Sequence, residues 1–205
     1  MEQFKIRASA AYEIMADGKK KGEPSVKLFD VAENYLKEKI YGYKKTFSSK
    51  YTDKGLSMED EAIDKAIEWL DIPFVLKNTE RKETEFFTGE PDLILDDYII
   101  DIKNSWSWET FPLFDKTLKN EAYYAQMQVY MSLFEKKKAK VVYMLLTTPE
   151  TYQNMPMTYE HVSKEYRMKV FDVEYNQEYI DKLISRVKYV REICKILLEN
   201  IDISI

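Results

Sequence analysis

Apolar positions recur along this chain with two periods, and the switches between them divide it into elements. Residues 8–17 (ASAAYEIMAD) and about 25–41 carry apolar side chains at helical spacing; Gly18 and Gly42 follow their ends, and Ser25 is a suitable N-cap for the second. A third helix is predicted over residues 57–70, with Ser57 and Asp60 as a capping box and Met58, Ala62, Ile63, Ala66, Ile67 and Leu70 as its apolar stripe. The period then shortens. Residues 74–77 (FVLK), 84–87 (TEFF), 92–95 (DLIL) and 98–103 (YIIDIK) are rich in Phe, Val, Ile and Thr and predict a β-meander that turns at Asp96-Asp97. A helix over about 118–137, strands at 139–146 and 169–175 and a helix over about 177–200 complete the order. Helices on either side of a central run of strands predict an α/β protein, a central mixed β-sheet flanked by α-helices.

Composition narrows what such a fold can do. The 205 residues are 45% hydrophobic and 33% charged, with 16 Tyr, 10 Phe and 3 Trp, which suits a substantial core and argues against disorder over most of the chain. Only 5 Gly and 6 Pro punctuate it, and no repeat or linker marks a boundary, so one domain over residues 1–205 is expected. A single Cys excludes a disulfide framework and a single His excludes a His cluster, which leaves oxygen atoms to hold any metal. Cys194 falls on the apolar stripe of the last helix and reads as core. The first residues lack a leader's uninterrupted apolar run and no segment is long enough to span a bilayer, so a soluble protein in a reducing compartment is expected. Net charge is −5, but residues 1–54 carry 12 Lys/Arg against 8 Asp/Glu, a balance of +4 that leaves −9 on residues 55–205. Lys19, Lys20, Lys21, Lys27, Lys44, Lys45 and Lys50 in the first part offer contacts to backbone phosphates, or form an ordinary solvated surface.

The segment from Gly89 to Lys103 carries the most chemistry. Strand alternation puts Ile99, Asp101 and Lys103 on one face and Tyr98, Ile100 and Ile102 on the other. A carboxylate and an ammonium on a strand that otherwise reads as buried are costly unless paired or bound to something. The turn at Asp96-Asp97 brings Asp92 beside Asp101, and two adjacent carboxylates repel each other unless a cation sits between them. Two readings stay open: a hard-metal site with a lysine at its edge, or a turn aspartate next to an ordinary ion pair. Glu59 follows the apolar stripe of its helix and is expected to point inward without a partner there. It also suits the helix N-terminus, where the macrodipole favours acids. On the helix over 118–137, Gln126 lies on the inner face with Tyr123 and Tyr130, whereas Gln128 lies nearer the flank with Ala125 and Met131, unless a wide buried face includes it as well. A core-facing amide must bond something, whether backbone or an active-site group.

Gly55-Leu-Ser-Met-Glu59, Glu90-Pro91-Asp92, Asp101-Ile102-Lys103 and Tyr124-Ala125-Gln126-Met127-Gln128 together resemble the ordered motifs of the PD-(D/E)xK nuclease superfamily, and within it the lambda-exonuclease-like group of viral and phage recombination. The resemblance runs from about residue 4 to the last helix. It implies a restriction-endonuclease-like core and Mg2+- or Mn2+-dependent hydrolysis of DNA phosphodiesters. Asp92 and Asp101 would ligate the metal, with Glu59 direct or through water and the Ile102 carbonyl as a further ligand. Lys103 would orient or help deprotonate the attacking water, and Gln126 would support that geometry. Ile6-Arg7-Ala8-Ser9-Ala10 resembles the segment in which a serine, helped by an arginine, receives a terminal phosphate; Ser9 matches, while Arg7 stands closer to it than the family's arginine does. Glu90 also departs from the pattern, which has a small or polar residue there. The resemblance further implies a DNA substrate, a single-strand annealing protein as partner, rings of three, and the cytoplasm, that of a bacterial host if the chain is phage-encoded. An endonuclease or nickase with the same site, and an inactive DNA-binding module, are the alternatives. Trp106 and Trp108, just past Lys103, would stack on bases or pack at the rim.

Overall fold

The computed structural model describes residues 3–20, 24–43, 58–72, 74–148 and 156–201. Strand β1 (Ile6–Arg7) leads straight into a 3-10 helix, Ala8–Ile14. The predicted helix over 8–17 is therefore shorter and tighter, because the chain is drawn away after Met15. Asp17 is paired to Arg186 at 2.6 Å and to Lys182 at 2.9 Å, and it bridges to Pro24. Helix α1 (Lys27–Tyr41) ends at Gly42, whose φ of 72° is the left-handed conformation glycine adopts at little cost. Helix α2 (Glu59–Trp69) buries Ala62, Ile63 and Ala66. Gly55 and Ser57 of its expected approach, with Lys21, Lys44, Lys45 and Lys50, lie outside the described residues.

The predicted meander is divided differently. Residues 74–77 form no strand: Phe74 has a φ of 61° and is fully exposed, and Leu76 is exposed as well. Val75 alone of these packs, half-buried, against the core that Ile100 and Val142 belong to, and β propensity counts only where the surface packs. Residues 84–87 hold a turn and the start of a strand. The Thr84 Oγ1 accepts from the Phe87 N–H at 3.1 Å and closes a hairpin between β2 (Lys82–Glu83) and β3 (Phe87–Gly89). Strand β1 lies parallel to β3, which gives a three-stranded sheet in the order β1-β3-β2.

The second sheet has the order β4-β5-β6-β7, from β4 (Leu93–Ile94), β5 (Tyr98–Asn104), β6 (Lys138–Met144) and β7 (Met168–Glu174). Only β5 and β6 run parallel; the connection between them carries helix α3 (Glu121–Leu133). The hairpin from β4 to β5 turns at Asp96-Asp97, with the Leu95 N–H donating to the Tyr98 carbonyl at 2.9 Å. The expected mixed α/β architecture holds, as two mixed sheets among helices.

Both faces of β5 are covered. Ile100 packs with α2 through Ala62, Ile63 and Ala66, whereas Ile99 packs with α3, α1 and helix α4 (Gln177–Glu199) through Met127, Leu28 and Leu183. Helix α3 is capped by Asn120, whose side chain accepts from the Ala122 and Tyr123 N–H groups, and starts at Glu121, about three residues later than expected. It is buried on every side from Ala125 to Met131, so Gln128 is enclosed and not on a flank. Its amide donates to the Glu174 carbonyl and accepts from the Asn176 N–H, both at 2.8 Å, which clips α3 to the turn before α4. Cys194 is buried in the same core. No helix among the described residues is long and apolar enough to cross a membrane.

Candidate active site

The pleat of β5 sends Asp101 and Lys103 toward α3, and the short β4–β5 hairpin lays Asp92 against the β5 edge. The Asp92 Oδ2 accepts from the Ile102 N–H at 2.6 Å. A residue's N–H and C=O leave a strand on the same side, so the Ile102 carbonyl also opens toward Asp92. Asp101 is only 3% exposed, and its Oδ2 lies 2.5 Å from the Lys103 Nζ. The same ammonium donates to the Gln126 Oε1 at 3.1 Å and sits 4.7 Å from the centre of the Tyr123 ring. The Gln126 Nε2 turns the other way, to the Asp101 Oδ1 at 3.4 Å and to the Tyr130 hydroxyl at 2.9 Å. The amide is thereby fixed in one orientation, carbonyl to the cation and NH2 to the acceptors.

Burial first, and then the charge of Asp101, push Asp92 up to about 7, against the Ile102 N–H and Lys103, which favour its ionised form; Glu59 adds to the rise. For Lys103, burial by itself lowers the pKa, but Asp101, by charge and hydrogen bond, with smaller contributions from Tyr123 and Asp92, carries the net shift upward and keeps an ammonium. Burial and the same two carboxylates raise the Tyr130 hydroxyl, which stays neutral.

Glu59 departs from expectation. It does not point into the core: its side chain is 41% exposed and paired with Lys77 at 2.8 Å. As the first residue of α2 it has no preceding turn to confine it, and a cation from an irregular segment takes it. Lys77 also holds Asp60 at 2.8 Å. Its neighbour Asn78 ties that segment to the site: the backbone N–H donates to the Asp92 carbonyl at 2.7 Å and the side-chain Nδ2 to the Pro91 carbonyl at 2.9 Å. Glu90 is neutralised by Arg81, whose Nη2 lies 3.1 Å from its Oε2. Among the described residues no three acids converge on a point from which all could hold one ion.

The structure therefore brings Asp92, Asp101, Ile102, Lys103 and Gln126 together, with Glu59 turned aside at the margin. Arg7 and Ser9 are exposed and make no described bond to this cluster. Ala8 between them stands against Gly89, where an added Cβ would come within 3.1 Å of the Ala8 Cβ. Sequence reasoning placed Tyr130 inward but gave it no role, and it missed Asn78 and Lys77. Tyr130 at i+4 from Gln126 was the available signal; nothing local announces a bond from Asn78 to residues 91 and 92. Trp108 is exposed, its backbone N–H donating to the Tyr159 hydroxyl at 3.1 Å, and His161 makes no described bond to the cluster.

Gly89 is required by the same network. A Cβ there would stand 2.7 Å from Tyr130 Cε1 and 2.9 Å from Cδ1. Gly89→Ala will displace the ring that orients Gln126 and cost about 1–3 kcal/mol, measured by urea denaturation. Unchanged stability would mean that the ring moves freely.

No protein-family model matches the sequence, and no curated protein sequence does. Solved structures do. A phage-related exonuclease from Haemophilus somnus 129PT superposes with a TM-score of 0.88 at 27% identity, over 98% of this chain and 97% of that one. The chain has an exonuclease fold. An alkaline exonuclease from Laribacter hongkongensis aligns with a TM-score of 0.72 at 14% identity, over 95% of this chain and 90% of that one. Its complex with dAMP gives 0.70 at 15% over the same shares. The lambda-exonuclease-like resemblance read from the motifs is thus matched by the three-dimensional architecture, and Asp92, Asp101, Lys103 and Gln126 of those motifs come together between β5 and α3.

Proposed function

We propose that this chain is a divalent-metal-dependent deoxyribonuclease that hydrolyses DNA from a duplex end, in the manner of phage-type recombination or replication exonucleases. What carries the reading is the pair of carboxylates, Asp92 and Asp101, held together at the β4–β5 hairpin with a buried ammonium on the second. The donor set suits a hard cation, Mg2+ or Mn2+: it is all oxygen, and burial together with the neighbouring charge of Asp101 raises Asp92 to about 7. Asp92, Asp101 and the Ile102 carbonyl would hold the ion, with Glu59 joining once it leaves Lys77. A bound divalent ion supplies an acidified water and charge neutralisation at the phosphate. The protein's own groups supply the rest. Lys103, a fixed ammonium, donates hydrogen bonds toward the attacking water and a phosphate oxygen. Gln126 keeps that ammonium in line, and Tyr130 holds the amide against flipping.

The exonuclease choice over an endonuclease rests on the whole-length likeness to a phage-related exonuclease. By the family resemblance of the sequence motifs Ser9, with Arg7, would receive a terminal phosphate, a single-strand annealing protein would be the partner, and a ring of three the assembly.

Linear and covalently closed duplex DNA, each with Mg2+, Mn2+ or EDTA, separate the possibilities. Expected is metal-dependent loss of the linear form alone, reduced at least about 10^3-fold by Asp101→Ala. Nicking of the closed circle would instead establish an endonuclease. Binding without turnover under all conditions would leave a DNA-binding module.

A further inference from the structure

Glu59, the one candidate ligand turned away from the metal site, is held by a cation the chain itself supplies. Lys77 bridges Glu59 and Asp60, each at 2.8 Å, and the three side chains are 40%, 41% and 85% exposed, so the contact sits at the mouth of the site and can open. Lys77 is not a distant surface residue that happens to reach α2. Asn78, next in sequence, is bonded through both its backbone and its side chain to the Asp92 and Pro91 carbonyls, so the lysine is anchored one residue away from the ligand backbone. Glu59 is also near enough to Asp92 for its charge to be felt there.

We propose that Lys77 is a latch on the metal site: it occupies Glu59 in the metal-free protein, and loading of a divalent ion takes Glu59 from it, so that Lys77 sets how tightly the ion binds. The inference rests on the metal-dependent reading above. Competition for one carboxylate explains why the third acid stands aside where two others already repel each other. An exposed lysine between two carboxylates is held weakly enough for a divalent ion to displace it, and firmly enough to lower the ion's affinity.

Mn2+ binding to the full chain without DNA, followed by titration calorimetry, tests this apart from activity. Lys77→Met is expected to tighten Mn2+ about three- to five-fold, the equilibrium equivalent of an exposed ion pair, and Lys77→Arg to leave it near wild type. In a Glu59→Gln background, Lys77→Met is expected to give no gain. Equal affinity of wild type and Lys77→Met overturns the latch. So does a gain that persists in the Glu59→Gln background, because that is general charge repulsion. If wild type binds no Mn2+, or Asp101→Asn binds it as well as wild type does, the metal site itself is wrong and the latch falls with it. Wild-type binding that Asp101→Asn abolishes, with no response at Lys77, removes the latch alone.

Discussion

Asp92→Asn will make the metal-free protein more stable at pH 8 while abolishing its nuclease activity. Folding lifts Asp92 to about 7 because the carboxyl is buried beside Asp101, whereas in the unfolded chain it titrates near about 4. An acid whose pKa rises on folding is bound to its proton more tightly in the native state. Its charge therefore costs nothing below about pH 4, costs progressively more as the pH climbs from about 4 to about 7, and costs a constant amount above that. A rise of that size is equivalent to about 4 kcal/mol. The amide keeps an acceptor for the Ile102 N–H and offers its NH2 to the carboxylates around it, so little is lost in exchange. For a chain of this size, a gain of about 3 kcal/mol raises the melting temperature by about 6–12 °C.

Melting in EDTA from pH 4.5 to 8.5 checks the sign. Wild type should lose stability across that range relative to the variant, and the two curves should converge at the acid end. Curves that run parallel would mean that Asp92 is not strained. At pH 8, Mg2+ should raise the melting temperature of wild type and leave that of the variant nearly unchanged, since the ion binds only where the charge remains. A residue that weakens the fold and is kept at the site of chemistry is the usual trade of stability for activity.

How much of this was legible beforehand depended on whether a residue's surroundings were local. Strand β5 has both faces buried and a tight turn on one side, so its alternation separated Asp101 and Lys103 from Ile100 and Ile102, and the Asp96-Asp97 turn put Asp92 alongside. Gln126 could be placed inward from Tyr123 and Tyr130. Gln128 could not be placed, because helical periodicity distinguishes faces only when one face meets water, and α3 is enclosed. Glu59 failed for another reason: its direction is decided by Lys77, 18 residues on in a segment without regular structure. That segment was itself misread as a strand, since Phe74, Val75 and Leu76 carry β propensity into a stretch that joins no sheet. Local pattern recovered the strand that holds Asp101 and Lys103; it missed the irregular chain that pairs with Glu59 and bonds the backbone of Pro91 and Asp92.

Lys103→Met is expected to do damage of two kinds, and a second substitution should separate them. The ammonium and Asp101 form a pair whose side chains are 20% and 4% exposed. Removing the lysine leaves Asp101 charged and buried against Asp92 with no counter-ion, at a cost of about 3–5 kcal/mol. Under the proposed function it also removes the donor to the reacting phosphate, which should lower the rate by about 10^3-fold. Adding Asp101→Asn replaces the broken pair with two neutral groups, and most of the lost stability should return, because the penalty came from the orphaned charge and not from a missing attraction. Activity should not return, because the double variant lacks both a metal ligand and the ammonium. Urea denaturation of the four proteins in EDTA gives the coupling, and loss of linear DNA in Mg2+ gives the rates. A Lys103→Met protein as stable as wild type would show that Asp101 is not a dry, charged group. One that still degrades DNA at the wild-type rate would remove Lys103 from the reaction.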